Sequence, residues 1–197
     1  FGMMSGFLVA IVIVPYCWRI YHGKIRPNLT SWSVWSIIGL ALLLTYKSSG
    51  AESNVWPAVF GFINPILVTI LATWKGERRW SNKIEIACAT IALISIALWW
   101  FVQQNKSLSA YVLFLAIVAD AFTCIPSIIA YWKDPGLDRP IPWLAFGVGY
   151  GLAVFAITDH TIANYILPLY MFSGATAMAL ILAVPRIKRG VPISEWI

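Results

Sequence analysis

The chain has 197 residues, of which 60% are hydrophobic and 11% are charged, and its formal net charge is +6. Soluble domains have about 25% charged residues, so this composition argues against a soluble protein and predicts an integral membrane protein. The net charge does not indicate nucleic-acid binding, because the basic residues follow the apolar segments instead of clustering on one soluble face.

Seven apolar runs are each long enough to cross a bilayer as a helix, which takes about 17 residues or more. In chain order, spans 1 to 7 are predicted at residues 3–21, 31–48, 55–74, 82–102, 108–132, 141–158 and 163–185. Span 1 could be read as a signal peptide, but it has neither a basic start nor a small-residue cleavage site. We therefore expect span 1 to be a retained helix.

Landmark residues recur 111 positions apart, which indicates one structural unit used twice. The matched pairs are Pro15 with Pro126, Trp32 with Trp143, Pro57 with Pro168, and Arg78 with Arg189. The shift places span 1 on span 5, span 2 on span 6 and span 3 on span 7, so span 4 must connect the halves. Because the added span restores the direction of the second copy, the two repeats run parallel.

The predicted fold is therefore an all-α integral membrane protein with two parallel triple-helix repeats joined by a linker helix. We expect a first repeat at residues 1–80, a linker helix at 81–106 and a second repeat at 107–190. Residues 191–197 form a short cytoplasmic tail.

The basic residues give the expected orientation. Twelve of the 14 lysines and arginines follow spans 1, 3, 5 and 7, and only Lys47 and Lys106 fall on the other side. The positive-inside rule then predicts an outside N-terminus and a cytoplasmic C-terminus, in a bacterial-type inner membrane. Anionic lipid headgroups are the expected partners of these side chains.

Four polar side chains lie near the middle of their spans, at one common depth: Asn64, Asp120, Ser173 and Thr176. Transporter sites tend to lie near the midplane between repeats, so we expect these four residues to bind a substrate. An ionised carboxylate at a helix centre costs about 2.5 to 3.5 kcal/mol on the insertion scale. Asp120 is therefore the strongest candidate for a functional residue among the four.

Two interpretations of Asp120 stay open. Its repeat counterpart is Val9, so the acid is present in only one of the two repeats. Such an acid suits a proton or cation relay, or a counter-charge for a cationic substrate. The alternative is an aspartate whose hydrogen bonds hold helices together.

Asn64 has two interpretations as well. Its amide can both donate to and accept from a ligand, but it could instead satisfy carbonyl groups that Pro65 frees. Its repeat counterpart is Ala175, so the second copy lacks this amide.

Glycines occupy the middles of spans 2 and 6, at Gly39 and Gly149. Their missing side chains either let neighbouring helices touch or leave room for a ligand. Four prolines inside spans, Pro15, Pro65, Pro126 and Pro168, each remove a backbone donor and are predicted to kink their helices. These kinks are candidate hinges of a gate, and the alternative is that they only shape the bundle.

The chain resembles the SWEET sugar transporters and the wider PQ-loop proteins. The resemblance rests on Pro15 in VPYCWRIYHGKIRPNLTSW and Pro126 in IPSIIAYWKDPGLDRPIPW, each near the end of the first helix of a repeat and followed by a basic turn. The Pro-Gln pair of that family is replaced by Pro15-Tyr16 and by Pro126-Ser127. The resemblance implies triple-helix repeats, an outside N-terminus and a transport function, and it implies that Asn64 contacts the substrate.

The expected function is a facilitator or proton-coupled carrier of a small polar solute, which alternates access to a midplane site. The alternative is a non-transporting membrane subunit or ligand sensor that packs against other membrane proteins. The sequence shows no Ser/His/Asp set, no paired carboxylates at one depth and no phosphate-cradling glycine loop, so we expect no enzymatic activity.

No cofactor or metal is expected, because the chain has no histidine within a span, no Cys/His cluster, and no lysine in span 7 for a retinal Schiff base. The expected partners are a small-molecule solute and membrane lipids. Further copies of the chain or other membrane proteins are additional candidate partners.

Overall fold

The structure is a computed structural model that describes residues 1–24, 26–77 and 83–196, with the backbone alone at Pro126, Ala130 and Ser194. Helices make up nearly all of these residues. In chain order they are α1 (Gly2–Ile11), α2 (Ile13–Tyr21), α3 (Leu29–Ser48), α4 (Trp56–Lys75), α5 (Lys83–Val102), α6 (Lys106–Lys133), α7 (Pro140–Ala153) and α8 (Ile162–Lys188). Arg78, a landmark of the sequence repeat, lies outside the described residues.

Six helical segments in the described part of the chain are long and apolar enough to cross a membrane, and Pro140–Ala156 is a shorter apolar segment. Many large hydrophobic side chains lie on the outer surface, for example Phe101 at 82% exposure and Met3 at 77%. Such a surface suits acyl chains rather than water. The prediction of an all-α integral membrane protein is thereby confirmed.

The first span is divided into two helices. α1 ends at Ile11 and α2 begins at Ile13, so the interruption at Val12 lies three residues before Pro15. A proline ring clashes with the carbonyl group four residues earlier, here that of Ile11, and supplies no N–H to it. The interruption therefore lies just upstream of the proline, at the place where the proline removes a backbone hydrogen bond.

The sixth span is shorter than predicted. α7 ends at Ala153, a 3₁₀ turn covers Val154–Ala156, and the backbone is extended at Ile157. The expected end at residue 158 was too late, because the polar Thr158 and Asp159 belong to the loop before α8.

Helix packing follows the shift of 111 residues. α4 packs against α1 and α3 in the first half, and α8 packs against α6 and α7 in the second. Between the halves, α1 packs against α7 as α3 packs against α6. Equivalent helices of the two halves thus make equivalent contacts. α5 lies between the halves in the chain and packs against both α3 and α6.

The midplane glycines let helices touch. A Cβ on Gly149 would lie 2.6 Å from Cγ2 of Val9 and 3.0 Å from the carbonyl oxygen of Ser5, both on α1. A Cβ on Gly39 would lie 3.0 Å from Cα of Phe62 on α4. Of the two interpretations of these glycines, close helix contact describes both positions.

The two ends of the bundle differ in charge. We call the end with Arg19, Lys75, Lys133 and Arg186 the basic end, and the end with residues 49–55, 103–105 and 154–161 the opposite end. Chain segments after α8 fold back at the basic end, where the backbone N–H of Ile141 donates to the carbonyl group of Trp196 at 3.2 Å.

Candidate functional site

Asp120 lies half-buried in the middle of α6 and is hydrogen-bonded across helices. The hydroxyl group of Tyr170 on α8 donates to its Oδ2 at 2.7 Å. This bond satisfies one acceptor of a carboxyl group that has been removed from water, which lowers the cost of keeping it at that depth.

Two further polar groups surround this pair. The thiol group of Cys124, one turn after Asp120 on α6, interacts electrostatically with the carboxyl group and with Tyr170. Tyr150 on α7 is buried and also interacts electrostatically with Asp120, and its hydroxyl oxygen would lie 2.5 Å from a Cβ on Gly61 of α4. The central acid therefore has neighbours from three helices.

Asn64 lies in α4, is 5% exposed, and contacts the first helix of its own repeat. Its Nδ2 donates to the carbonyl oxygen of Val9 at 2.7 Å, and its Oδ1 is buried without a hydrogen-bond partner among the described residues. The carbonyl group that Pro65 frees is that of Gly61, four residues earlier, so the amide does not satisfy it.

The Asn64 and Asp120 contacts occupy corresponding places in the two repeats. Val9 is the repeat counterpart of Asp120, and each is joined to the third span of its own half. In the first half Asn64 donates to the backbone of Val9, whereas in the second half Tyr170 donates to the side chain of Asp120. The equivalent helix pairs, α1 with α4 and α6 with α8, are thus each linked by a hydrogen bond, but the bonding groups differ.

Thr176 and Ser173 lie on different parts of the α8 surface. The Oγ1 atom of Thr176 is buried against α7, would lie 3.4 Å from a Cβ on Gly147, and has no hydrogen-bond partner in the described part of the chain. The side chain of Ser173 is exposed on the outer surface, so the structure does not bring it to the other three residues.

The structure also does not join all of the predicted site residues directly. Within the described ranges no hydrogen bond links Asn64 or Thr176 to Asp120. Tyr150 occupies the intervening region, from Gly61 of α4 to the neighbourhood of Asp120.

The four candidate hinge prolines behave differently. Pro15 follows the helix interruption at Val12, while Pro65 and Pro168 are buried inside the continuous helices α4 and α8. Pro126 lies within the continuous helix α6, and its side chain is outside the described residues. The paired prolines Pro15 and Pro126 therefore do not break their helices equally.

Sequence reasoning missed a hydrogen-bonded cluster that joins the two halves at the opposite end. The hydroxyl group of Tyr46 on α3 donates to the carbonyl oxygen of Asn164 on α8 at 2.9 Å and accepts from Nδ2 of Asn54 at 2.5 Å. Nδ2 of Asn164 donates to the carbonyl oxygen of Asp159 at 2.8 Å. Tyr46, Asn54 and Asn164 are all at most 2% exposed.

Two surface contacts surround this cluster. Lys106 and Asp159 form a 3.3 Å salt bridge between the start of α6 and the loop before α8. The hydroxyl group of Thr158 donates to Glu52 at 3.1 Å, which again connects the second half with the first. The opposite end is therefore closed by contacts that cross between the repeats.

The sequence did offer signals for the missed residues. Tyrosines of membrane proteins concentrate at the interfaces, so the half-buried Tyr170 inside a span is unusual, and it pairs with an acid at similar depth. Among the described residues, no group of three His, Cys, Asp or Glu side chains could hold a metal ion.

Comparison with known proteins gives a limited set of relatives. No family model matches the chain, and no solved structure matches it. Protoheme IX farnesyltransferase 2 of Bacillus subtilis is 24% identical over 163 residues, which cover 81% of this chain and 50% of that protein. The same protein of Bacillus velezensis matches at 24% identity over the same lengths. The chain spans about half the length of the curated relatives it matches.

This similarity corrects one sequence-based expectation. The chain was expected to have no enzymatic activity, whereas the relatives that it resembles are named as transferases. The expectation rested on side-chain sets typical of hydrolases and ATP-driven proteins, and a group transfer between membrane-embedded substrates needs neither set. The expectation is therefore wrong as a general exclusion.

Proposed function

We propose that the protein is a membrane transporter, either a facilitator or a proton-coupled carrier, which moves a small polar solute by alternating access. The observation that carries this proposal is the Asp120–Tyr170 pair, a hydrogen-bonded carboxyl group at the centre of a membrane span. Ionisable residues at that depth are costly and commonly mark substrate or ion pathways.

Unpaired polar atoms at the same depth support a polar substrate. Oδ1 of Asn64 and Oγ1 of Thr176 are buried and have no hydrogen-bond partner among the described residues. An unsatisfied buried polar atom costs about 1–3 kcal/mol, and a solute with hydroxyl, amide or ammonium donors would remove that cost. Asn64, Thr176 and Asp120 are the proposed binding residues, and Asp120 is also the proposed proton-coupling residue.

The difference between the two ends supports alternating access. Contacts between Tyr46 and Asn164 hold the halves together at the opposite end, whereas cavities of about 340 and 230 Å³ lie at the basic end. Opening the opposite end would require breaking these contacts between repeats. The kink at Val12 and Pro15, in a helix that packs against both α4 and α7, is the proposed hinge.

The exchange of helix contacts under the 111-residue shift supports a SWEET-like or PQ-loop-like plan of two triple-helix repeats. We propose this plan, with the basic end on the cytoplasmic side of a bacterial-type inner membrane and the N-terminus outside.

A solute screen on the purified protein tests the proposal. Sugars, amino acids, nucleosides and organic cations are added at two pH values, and the midpoint of thermal unfolding is recorded for wild type and for Asp120→Asn. A ligand at about 100 times its Kd stabilises a protein by about 2.7 kcal/mol, so binding is measurable. We expect a pH-dependent stabilisation that Asp120→Asn abolishes.

The hit is then tested for flux in proteoliposomes. Ser173→Ala, which alters an exposed side chain of similar depth on α8, is the control and should transport normally. Flux in Asp120→Asn equal to that of wild type, with the variant folded, would remove Asp120 from the mechanism.

A second candidate function is favoured by the relatives. Both are named as transferring a farnesyl group to protoheme IX, and the match covers 81% of this chain. Incubating the protein in liposomes with protoheme and an activated farnesyl donor, followed by mass spectrometry, tests this activity. Formation of a farnesylated haem would favour the transferase, and the absence of product would count against it.

A further inference from the structure

Two cavities lie side by side at the basic end of the bundle, and Arg139 and Gly136 line both of them. The larger, of about 340 Å³, is lined also by Arg19, Lys24 and Asp138. The smaller, of about 230 Å³, is lined also by Arg186, Arg189 and Glu195. Arg139, in the loop between α6 and α7, therefore separates two basic cavities.

The arginines that line the smaller cavity form no salt bridge within the described residues. Arg186 is 7% exposed, and its hydrogen bonds go to two backbone carbonyl groups, Leu182 at 2.8 Å and Asp138 at 2.6 Å. Arg139 donates to the carbonyl groups of Gly136 and Asp138, and its Nε is buried without a partner in the described part of the chain. Neither arginine forms a salt bridge within the described ranges.

The carboxylate of Asp138, whose backbone carbonyl group accepts from Arg186, is already engaged by other donors. The side chain of Asp138 accepts from Tyr131 at 2.8 Å, from Trp143 Nε1 at 2.9 Å and from the backbone N–H of Arg139 at 2.7 Å. Among the residues that line the smaller cavity, three arginines face one carboxylate, that of Glu195. The side chains that line this cavity therefore carry a net charge of +2, and the buried Arg186 is one of the three cations.

A buried cation without a counter-ion is costly, and the cost falls when an anion with several acceptor oxygens binds. Arginine is suited to this task, because its planar fork donates two parallel hydrogen bonds to a phosphate or carboxylate group. The smaller cavity has three such forks from two chain segments: Arg139 in the α6–α7 loop, and Arg186 and Arg189 at the end of α8.

We propose that this cavity binds a phosphate-bearing anion, which Arg139, Arg186 and Arg189 hold through charge-assisted hydrogen bonds. The phosphate group belongs either to an anionic lipid headgroup or to a soluble phosphate compound, since both present the same oxygens. The bound anion links the loop before α7 to the end of α8. The site lies apart from Asp120 and is independent of the proposed transport function.

The experiment uses the full chain in a neutral detergent after lipid removal. One arm measures the midpoint of thermal unfolding in sodium phosphate against sodium chloride at equal ionic strength. The other arm compares nanodiscs of phosphatidylcholine alone with nanodiscs that also contain phosphatidylglycerol. Binding of each probe is then titrated for wild type, Arg189→Gln and the matched control Lys188→Gln.

Lys188 is an exposed neighbour of Arg189 that does not line either cavity, so its variant removes the same charge from the same end. We expect stabilisation of wild type in at least one arm. Arg189→Gln should weaken binding about tenfold, as the loss of a hydrogen bond to a charged group does. Lys188→Gln should bind almost as wild type does.

The pattern of results identifies the source of the phosphate. A response to phosphatidylglycerol alone indicates a lipid headgroup, and a response to free phosphate indicates a soluble anion. If Arg189→Gln does not fold, Arg139→Lys replaces it, because it keeps the charge but loses the fork and should also weaken binding. No response in wild type, or an equal loss in Lys188→Gln, overturns the proposal.

Discussion

The hydroxyl group of Tyr170 donates to Oδ2 of Asp120 at 2.7 Å, and this bond joins the first and third helices of the second repeat. The first repeat joins the same helices through Asn64 and the backbone of Val9 instead. The two halves therefore share a place of contact but not its chemistry. Of these two contacts, only the one in the second repeat contains an ionisable side chain.

Replacing Tyr170 by Phe should destabilise the protein by about 1 to 2 kcal/mol, because the half-buried carboxyl group of Asp120 loses its donor. Chemical unfolding in a mild detergent measures the change. Tyr111→Phe removes a hydroxyl group from a 73% exposed tyrosine on α6 and should change stability by much less. Equal stabilities of the two variants would contradict a structural contribution from the Tyr170–Asp120 bond.

The sequence predicted the membrane-spanning helices well, since their apolar length depends on composition and chain order alone. It also singled out Asp120, because a carboxyl group at that depth is costly wherever it points. It could not separate Thr176 from Ser173. The position of a residue along a span predicts its depth in the membrane. The side of the helix on which it lies depends on the neighbouring helix, and here Thr176 faces α7 at Gly147.

The hydrogen-bonded cluster at the opposite end could not be predicted from the sequence, for a related reason. Tyr46 and Asn164 lie 118 residues apart, and each alone resembles an ordinary residue near a membrane interface. Only the packing of α3 close to α8 brings the hydroxyl and carbonyl groups together.

Gly149→Ala should destabilise the contact between α1 and α7. The added Cβ would lie 2.6 Å from Val9 Cγ2 and 3.0 Å from the Ser5 carbonyl oxygen, and overpacking of this kind costs about 1–3 kcal/mol. Gly174→Ala is the matched control, because a Cβ there meets nothing within 4 Å and alanine favours the helix. Unfolding curves of the two variants should shift in opposite directions; parallel shifts would contradict the described packing.

Tyr46→Phe should loosen the opposite end, because Asn164 and Asn54 both lose their contact with the hydroxyl group. Ala51→Cys, in a background without Cys17, Cys88 and Cys124, provides a buried reporter at that end. A membrane-impermeant maleimide should label this cysteine roughly fivefold faster or more in Tyr46→Phe, if the substitution lowers the free energy of opening this end by about 1 kcal/mol.

The control for this labelling experiment is Tyr165→Phe. Tyr165 also lies at the opposite end, but its hydroxyl group contacts His160 at 2.7 Å and belongs to a different contact. Labelling as fast in Tyr165→Phe as in Tyr46→Phe would show that the Tyr46 cluster does not close this end.

Asp159→Asn should have a small effect, below about 1 kcal/mol, although it removes the 3.3 Å salt bridge with Lys106. The two side chains are 35% and 69% exposed, so water screens the pair. Asn164→Ala should cost more, because it removes a fully buried amide and its 2.8 Å hydrogen bond to the carbonyl group of Asp159, which keeps only the backbone N–H of Thr161 as a donor. Thermal unfolding at low and high salt distinguishes the two effects, since only the first depends on ionic strength.

Thr176→Val separates a binding role from a packing role for this residue. Oγ1 of Thr176 is buried without a hydrogen-bond partner in the described residues, so a methyl group in its place should leave stability unchanged or raise it slightly. If the hydroxyl group contacts the solute, the variant should bind the solute of the transport screen about tenfold more weakly while unfolding at the same or a higher temperature. Calorimetric titration with that solute measures the affinity, and Thr176→Ser, which keeps the hydroxyl group, should restore it. A Val variant that binds as tightly as wild type would leave Asn64 and Asp120 as the binding residues, because the unpaired Thr176 hydroxyl would then have no contact with the solute.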